Sequence, residues 1–198
     1  MENLHAAANA LYAGENFMDN LNITYSILQP VHAAAYRSLR LESLELFPGS
    51  FGSSYEDEKA KPVLAFERFI EQCTPGKFVA GAFGDETLIG ICGFAGEETA
   101  KNNHRGAIIQ MYVRRQFSGK GIGLQLLKTA IDAAFNLPGM EQLVLGVVTE
   151  NKAAIRIYEK AGFTTLGVQR NYFKTRNGYL HQQFMVLYKT DYEILNPL

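Results

Sequence analysis

A glycine-rich loop in the middle of the chain is the first feature whose residue types could do chemistry. Gly119, Gly121 and Gly123 stand at alternate positions, with Lys120 among them. Glycines let successive backbone N–H groups converge, and the N-terminus of a following helix adds a partial positive charge, so the loop could hold a pyrophosphate. A plain strand-to-helix turn with solvated basic residues is the alternative, which glycine spacing alone does not exclude.

Two common nucleotide-binding signatures do not fit this loop. A Walker motif requires Ser or Thr after the Gly-Lys pair, whereas Gly119-Lys120 is followed by Gly121. The dinucleotide fingerprint places its third glycine one residue later than Gly123 and an acid at the end of the next strand, where Thr149 stands. Neither ATP nor NAD binding is therefore the favoured interpretation.

A second group of residues lies on a predicted helix further along the chain. Asn151, Ala154 and Tyr158 are three and four residues apart, so they share one helix face. A tyrosine hydroxyl held there could donate a proton to a leaving group. The alternatives are structural, because a helix tyrosine is commonly a core residue and Asn is a favoured N-cap.

The elements that must position these residues are readable from apolar periodicity and turn residues. The predicted helices cover 31–44, 63–73, 122–137 and 151–161, so two helices precede the main sheet, and Gly162 is expected as the left-handed residue after the last helix. Residues 107–113, the helix after them and residues 143–148 form a predicted parallel strand-helix-strand unit. The predicted strands are 22–28, 78–83, 88–94, 107–113, 143–148, 164–168 and 180–187.

Composition indicates an ordinary globular protein. Of 198 residues, 47% are hydrophobic and 20% are charged, and the net charge of −1 offers no field for nucleic acid or an anionic membrane. Cys73 and Cys92 lack metal-ligand spacing, so both are predicted to be buried thiols and no metal is expected. We expect residues 1–19 to be an N-terminal extension, residues 20–198 to form a single domain, and the protein to be cytoplasmic, with no nucleic-acid or membrane partner.

Two sequence blocks resemble those of the GNAT superfamily of N-acetyltransferases. Gln116-x-x-Gly119-x-Gly121 is similar to the family's Q/R-x-x-G-x-G/A signature, and 151–163 is similar to its N-x-x-A-x-x-x-Y-x-x-x-G-F block. The resemblance implies an α/β (α+β) fold with a mixed, mostly antiparallel sheet of six to seven strands. In that fold the parallel fourth and fifth strands splay apart, and helices cover both faces.

The resemblance also implies a cofactor and roles for particular residues. Acetyl-coenzyme A would lie between the fourth and fifth strands, and Tyr158 would protonate the departing thiolate. The acetyl group would pass directly to a primary amine in a ternary complex. The implied cofactor-binding residues are Met111, Tyr112, Val113, Gln116, Ser118, Gly119, Lys120, Gly121, Ile122, Gly123, Asn151, Ala154 and Tyr158.

The sequence departs from the family where a general base is expected. Gln110 stands where relatives often carry an acid, and Glu97, Glu98, His104 and His181 are candidates without assignment. A non-catalytic acyl-coenzyme A sensor is therefore one rival interpretation, and an unrelated nucleotide-binding enzyme is another.

The acceptor is expected to be a small-molecule or peptide amine. The first two helices and a loop at 170–176 would select it, although a solvated hairpin tip is an alternative for that loop. A homodimer is a family-level expectation.

Overall fold

A seven-stranded mixed sheet organises the computed structural model, which describes residues 21–197. Its strands follow the order β1-β2-β3-β4-β5-β7-β6, and every neighbouring pair is antiparallel except β4 and β5. The strands are β1 (Ile23–Ile27), β2 (Lys77–Gly84), β3 (Thr87–Gly96), β4 (Arg105–Val113), β5 (Gln142–Val148), β6 (Thr164–Thr175) and β7 (Gly178–Tyr188).

Helices cover both faces of this sheet, and each face has its own apolar core. One core joins the sheet to α4 and α5, and the other joins it to α1 and α3. Within residues 21–197 the α-helices are α1 (Ala33–Leu46), α2 (Tyr55–Lys59), α3 (Ala65–Glu71), α4 (Ile122–Phe135), α5 (Lys152–Lys160) and α6 (Lys189–Leu195). The predicted fold class, with seven strands and helices on both faces, is confirmed.

The parallel strands β4 and β5 separate soon after they meet. Their pairing consists of Arg105 with Gln142, Gly106 with Leu143 and Ala107 with Val144. Further along β4, Gln110 has a φ of 56°, and the register against β3 shifts between Ile91 and Gly93. This bulge and the separation together open a gap in the centre of the sheet.

Three elements differ from the sequence prediction. A third helix, α2, precedes the main sheet because Ser54 caps it: the Asp57 N–H donates to Ser54 Oγ at 3.1 Å. Strand β6 continues to Thr175, so most of the predicted loop at 170–176 belongs to a strand, and its residues 173–175 pair with β7. The chain also adds α6, whose Tyr192 is buried against α4 and donates to Asp132 at 2.7 Å.

One cysteine prediction is wrong. Cys92 is buried in β3 as expected, but Cys73 is exposed after α3, where its φ of 48° lies in the left-handed region. The predicted N-terminal extension at 1–19 lies outside the described residues. No helix within 21–197 is both long enough and apolar enough to cross a membrane.

Candidate functional site

A cavity of about 590 Å³ occupies the gap between β4 and β5. Strand β4 supplies one wall through residues 108–113, and the helix α5 supplies another through Ala154, Ile157 and Tyr158. The glycine loop and the segment that follows α1, with Phe47, Ser50 and Phe51, complete the lining.

The glycine loop owes its shape to two left-handed residues. Gly119 and Gly121 have φ values of 80° and 79°, and a Cβ atom added at either would meet nothing within 4 Å. Gly121 is the N-cap of α4, and the first-turn N–H groups of a helix lack intrahelical partners. The loop is therefore an open cradle of backbone donors at a positive helix end, as an anionic phosphate group requires.

The third glycine of the loop, Gly123, is required by close packing and not by backbone conformation. A Cβ at Gly123 would stand 3.3 Å from Ile157 Cδ1 and 3.5 Å from Met111 Cε. Its φ is not in the left-handed region, so backbone conformation does not require glycine there. Gly123 instead allows α4 to approach α5 and β4 closely.

On α5, Asn151 caps the helix and Tyr158 faces the cavity. The Ala154 N–H donates to Asn151 Oδ1 at 3.1 Å, as the sequence predicted for a capping asparagine. Tyr158 is buried, and its ring lies edge-on to Phe163 with centroids 6.1 Å apart. Burial raises the pKa of its hydroxyl above the ordinary value, and Cys92 adds to the shift, so this group stays protonated at neutral pH. The Tyr158 hydroxyl has no hydrogen-bond partner among residues 21–197.

On the other side of β4, two hydrogen-bonded groups connect the strand to α1. The Tyr36 hydroxyl donates to Gln110 Oε1 at 2.7 Å. The Tyr112 hydroxyl donates to Glu42 Oε1 at 2.9 Å, and both Nε and Nη2 of Arg114 donate to the same carboxylate at 2.9–3.1 Å. Burial, and to a smaller extent the hydrogen bond and the negative charge of Glu42, raise the pKa of Tyr112 to about 12.

Most residues predicted for the cofactor site do meet at this cavity. Those lining it are Met111, Tyr112, Val113, Ser118, Gly119, Gly121, Gly123, Asn151, Ala154 and Tyr158. Three do not line it: Gln116 and Lys120 are exposed, and Ile122 is 4% exposed in the core beneath the loop.

None of the candidate bases lines the cavity. Glu98 forms an ion pair with Lys77, and His181 Nδ1 accepts from the Asn171 N–H at 2.9 Å. Glu97 and His104 also lie away from it.

Sequence reasoning missed several lining residues. Phe47, Ser50 and Phe51 stand between the first two predicted helices, where the sequence indicated no site residue. Lys160, at an unspecified position of the 151–163 block, and Gly146 also line the cavity.

Comparison with known proteins identifies the family. The model of the acetyltransferase (GNAT) family matches residues 38–163, which include both the glycine loop and the α5 block. The chain belongs to the GNAT family. Within 21–197 there is no group of three or more His, Cys, Asp or Glu side chains placed to hold a metal ion.

Curated GNAT relatives match part of the chain. Spermidine N(1)-acetyltransferase of Escherichia coli strain K12 is 32% identical over 89 residues, covering 45% of this chain and 48% of the relative. The N-alpha-acetyltransferase RimI of Mycobacterium tuberculosis is 31% identical over 114 residues, covering 57% and 67%. The alignment to the first of these thus spans about half of that relative's length.

Solved GNAT structures share the fold over most of the chain. An acetyltransferase of the family from Streptococcus pneumoniae has a TM-score of 0.72 at 20% identity, covering 84% of this chain and 99% of that one. A putative acetyltransferase from Salmonella typhimurium, solved with acetyl-coenzyme A, has a TM-score of 0.70 at 20% identity, covering 84% and 94%.

Proposed function

We propose that this GNAT protein is an acetyl-coenzyme A-dependent N-acetyltransferase that passes the acetyl group directly to a primary amine in a ternary complex. The observation that carries the proposal is the cavity, which places an open backbone cradle and a protonated tyrosine along one gap in the sheet.

The cradle fits the diphosphate of coenzyme A. Gly119 and Gly121 leave free space where other residues would place a Cβ, and Ser118 lines the cavity beside them. The helix N-terminus favours an anion there by roughly 0.3–1 kcal/mol at an exposed position. Lys120, beside the two glycines, adds positive charge, whereas Gln116 and Ile122 lie outside the cavity lining.

The gap between β4 and β5 fits the extended arm of the cofactor. Beyond Ala107 and Val144 the two strands no longer pair, so backbone groups of Met111, Tyr112 and Val113 are available to a strand-like ligand. This is recognition by strand addition, in which main-chain hydrogen bonds provide affinity. Bound there, acetyl-coenzyme A supplies an activated thioester.

Tyr158 is the residue that handles the leaving group. When the amine nitrogen bonds to the acetyl carbon, the carbon–sulfur bond breaks and the sulfur takes a proton from the Tyr158 hydroxyl. The raised pKa of this buried hydroxyl keeps the proton on oxygen until the thiolate forms. Tyr158 then regains a proton from solvent.

The proton of the attacking amine leaves through water. Among the lining residues within 21–197 there is no Asp, Glu or His, and Gln110 cannot accept a proton at neutral pH. The amine therefore enters neutral, and kcat/KM rises with pH up to the pKa of the free amine, without a separate enzyme base.

The first experiment measures thermal stabilisation by acetyl-coenzyme A. We expect a higher Tm with acetyl-coenzyme A than with ATP or NAD, and loss of that shift in Gly121→Glu, which places a carboxylate in the cradle. Stabilisation by ATP or NAD, with none by acetyl-coenzyme A, would contradict the proposal.

An amine screen with detection of the released thiol follows the binding experiment. Binding without thiol release from any amine would identify a non-catalytic sensor of acyl-coenzyme A instead of a transferase.

A further inference from the structure

Part of the cavity lining comes from residues on one face of the sheet, and we call it the acceptor end because an acceptor amine would lie there. It lies on the α1–α3 face of the sheet. Ile109 and Gln110 both lie on this face because the bulge in β4 interrupts the alternation of side chains. The acceptor end is lined by Phe47, Ser50, Phe51, Ile109, Gln110 and Tyr112.

The charges around the cavity oppose an acceptor that carries several ammonium groups. Its described lining holds two cations, Arg115 and Lys160, and no carboxylate. Behind the wall, the Arg40 guanidinium lies 4.7 Å from the Phe51 ring centre, and its Nη1 is buried with no hydrogen-bond partner among the described residues. A second ammonium on the acceptor would be desolvated beside positive charge, which is unfavourable.

Glu42 is a carboxylate held against this end through Tyr112, and it does not supply a counter-charge inside the cavity. It accepts from the Tyr112 hydroxyl and, in a two-pronged contact, from the Arg114 guanidinium. Its charge is therefore balanced by Arg114 and its oxygen atoms are already engaged.

Gln110 presents hydrogen-bond donors where a carboxylate would be needed for a polyamine. The Tyr36 hydroxyl donates to Gln110 Oε1 at 2.7 Å, and Tyr36 is only 1% exposed. Arg40, one helical turn further along α1, carries only donors, so it favours the arrangement in which the phenol oxygen faces Arg40 and the O–H faces Gln110. The charge of Arg40 lowers the pKa of Tyr36, against the larger rise caused by burial.

The orientation of the amide follows from this contact. With Oε1 turned to Tyr36, the Nε2 group of Gln110 has no acceptor among residues 21–197, and it is not one of the fully buried atoms without a partner. Gln110 lines the cavity, so Nε2 can donate to a molecule bound there. An amide donor selects for oxygen on its ligand and gains nothing from an ammonium.

We propose that the acceptor is a primary amine that carries a carbonyl or carboxylate oxygen close to its nitrogen, as in a peptide N-terminus or a free amino acid, and that Gln110 Nε2 donates to that oxygen. Phe47 and Phe51 provide an apolar wall for the group attached beyond it. The inference rests on the proposed transferase function and narrows its substrate. Tyr36 is a positioning residue, since it acts through Gln110.

A matched set of amines tests the preference by thiol release. Phenylalanine amide and phenethylamine differ only by the carboxamide, free phenylalanine offers a carboxylate, a tetrapeptide beginning with phenylalanine offers a peptide carbonyl, and spermidine has no oxygen. We expect kcat/KM for the best oxygen-bearing amine to exceed that for phenethylamine and spermidine by about 10- to 100-fold, the range of one well-placed hydrogen bond. The peptide and free amino acid arms separate the two sources of that oxygen.

Two variants connect this preference to the named residues. Gln110→Glu replaces the donor with an acceptor and adds negative charge, so we expect about 100-fold lower kcat/KM with phenylalanine amide and equal or higher kcat/KM with spermidine. Tyr36→Phe keeps the buried ring and releases the amide, so about 10-fold is lost with phenylalanine amide and none with phenethylamine. Gln72→Glu, the same change at an exposed residue after α3, is the control and should match the wild type.

The outcomes separate this inference from the function on which it rests. Equal kcat/KM for phenylalanine amide and phenethylamine, or a preference for spermidine, overturns the substrate inference but not the proposed transferase function. No thiol release with any amine refutes the transferase, and the inference falls with it. If Gln110→Glu does not fold, as its Tm will show, an unchanged preference in Tyr36→Phe is the overturning result.

Discussion

Replacing Gly121 with alanine tests the backbone conformation of the glycine loop separately from steric contacts. Gly121 has a φ of 79°, and an added Cβ would meet no protein atom within 4 Å. A clash is therefore absent, and the cost arises from placing an L-residue in the left-handed region, about 1–2 kcal/mol. For a chain of this size that corresponds to a fall in Tm of roughly 2–8 °C.

The cost divides between folding and binding. If the variant loop keeps its shape, the whole loss appears in the Tm of the free protein. If the loop relaxes, binding must restore the shape, and acetyl-coenzyme A affinity falls by up to about 5- to 30-fold for the same 1–2 kcal/mol. The sum of the two losses is measured by scanning calorimetry with and without acetyl-coenzyme A. At about 100 times Kd the ligand raises the free energy of unfolding of the wild type by about 2.7 kcal/mol.

Gly139 offers a matched control, since its φ is 73°, it also has nothing within 4 Å of an added Cβ, and it lies outside the cavity. Gly139→Ala should lose a similar free energy of unfolding and keep the full stabilisation by acetyl-coenzyme A. Gly121→Asn should cost less than Gly121→Ala, because Asn tolerates the left-handed region. A Gly121→Ala protein with wild-type Tm and wild-type affinity would refute the assigned conformation.

Three further outcomes are expected. Tyr158→Phe should lower kcat by about 10²- to 10⁴-fold, the range for a positioned acid, with little change in Tm because the hydroxyl has no described partner; steady-state kinetics with unchanged kcat would remove the acid role. Cys73 should react with a thiol reagent in the native protein and Cys92 only after unfolding, since burial raises the pKa of the Cys92 thiol to about 12; mass spectrometry of labelled peptides checks this, and native labelling of Cys92 would contradict its burial. The pKa of Tyr112 is raised from 10.0 to about 12 in the fold, so the stability that its protonated hydroxyl contributes is complete below pH 10 and is lost between pH 10 and 12. The fall of Tm with pH over this range should therefore be less steep in Tyr112→Phe than in the wild type, and an equal slope would exclude the contribution.

The sequence predicted the core of the fold because its signals there are strong and local. The strand at 107–113, the helix after it and the strand at 143–148 each carry an apolar pattern that matches their packing in the cores of the sheet. The long β6 was harder, since its residues are almost all exposed and its extended form depends on pairing with β7. No local pattern distinguishes such an exposed strand from a polar loop.

The candidate site shows the same division. The glycine loop and the Asn151 cap were predictable because backbone conformation and capping depend on the residue itself. Gln110 was recognised as an exception to the family pattern, but its bond to Tyr36, 74 residues away, exists only in the folded chain. The left-handed backbone at Gln110 is also invisible in the sequence, because glutamine has no preference for it.

The short seam between β4 and β5 gives the molecule two half-sheets. Strands β1 to β4 form one, and strands β5, β7 and β6 form the other, joined by pairing at three positions. If the cofactor lies in this gap as proposed, it contacts both halves and connects them. When acetyl-coenzyme A binds, amide hydrogen exchange should therefore slow together in the unpaired parts of β4 and β5, beyond Ala107 and Val144. Motion of one half-sheet relative to the other should decrease at the same time.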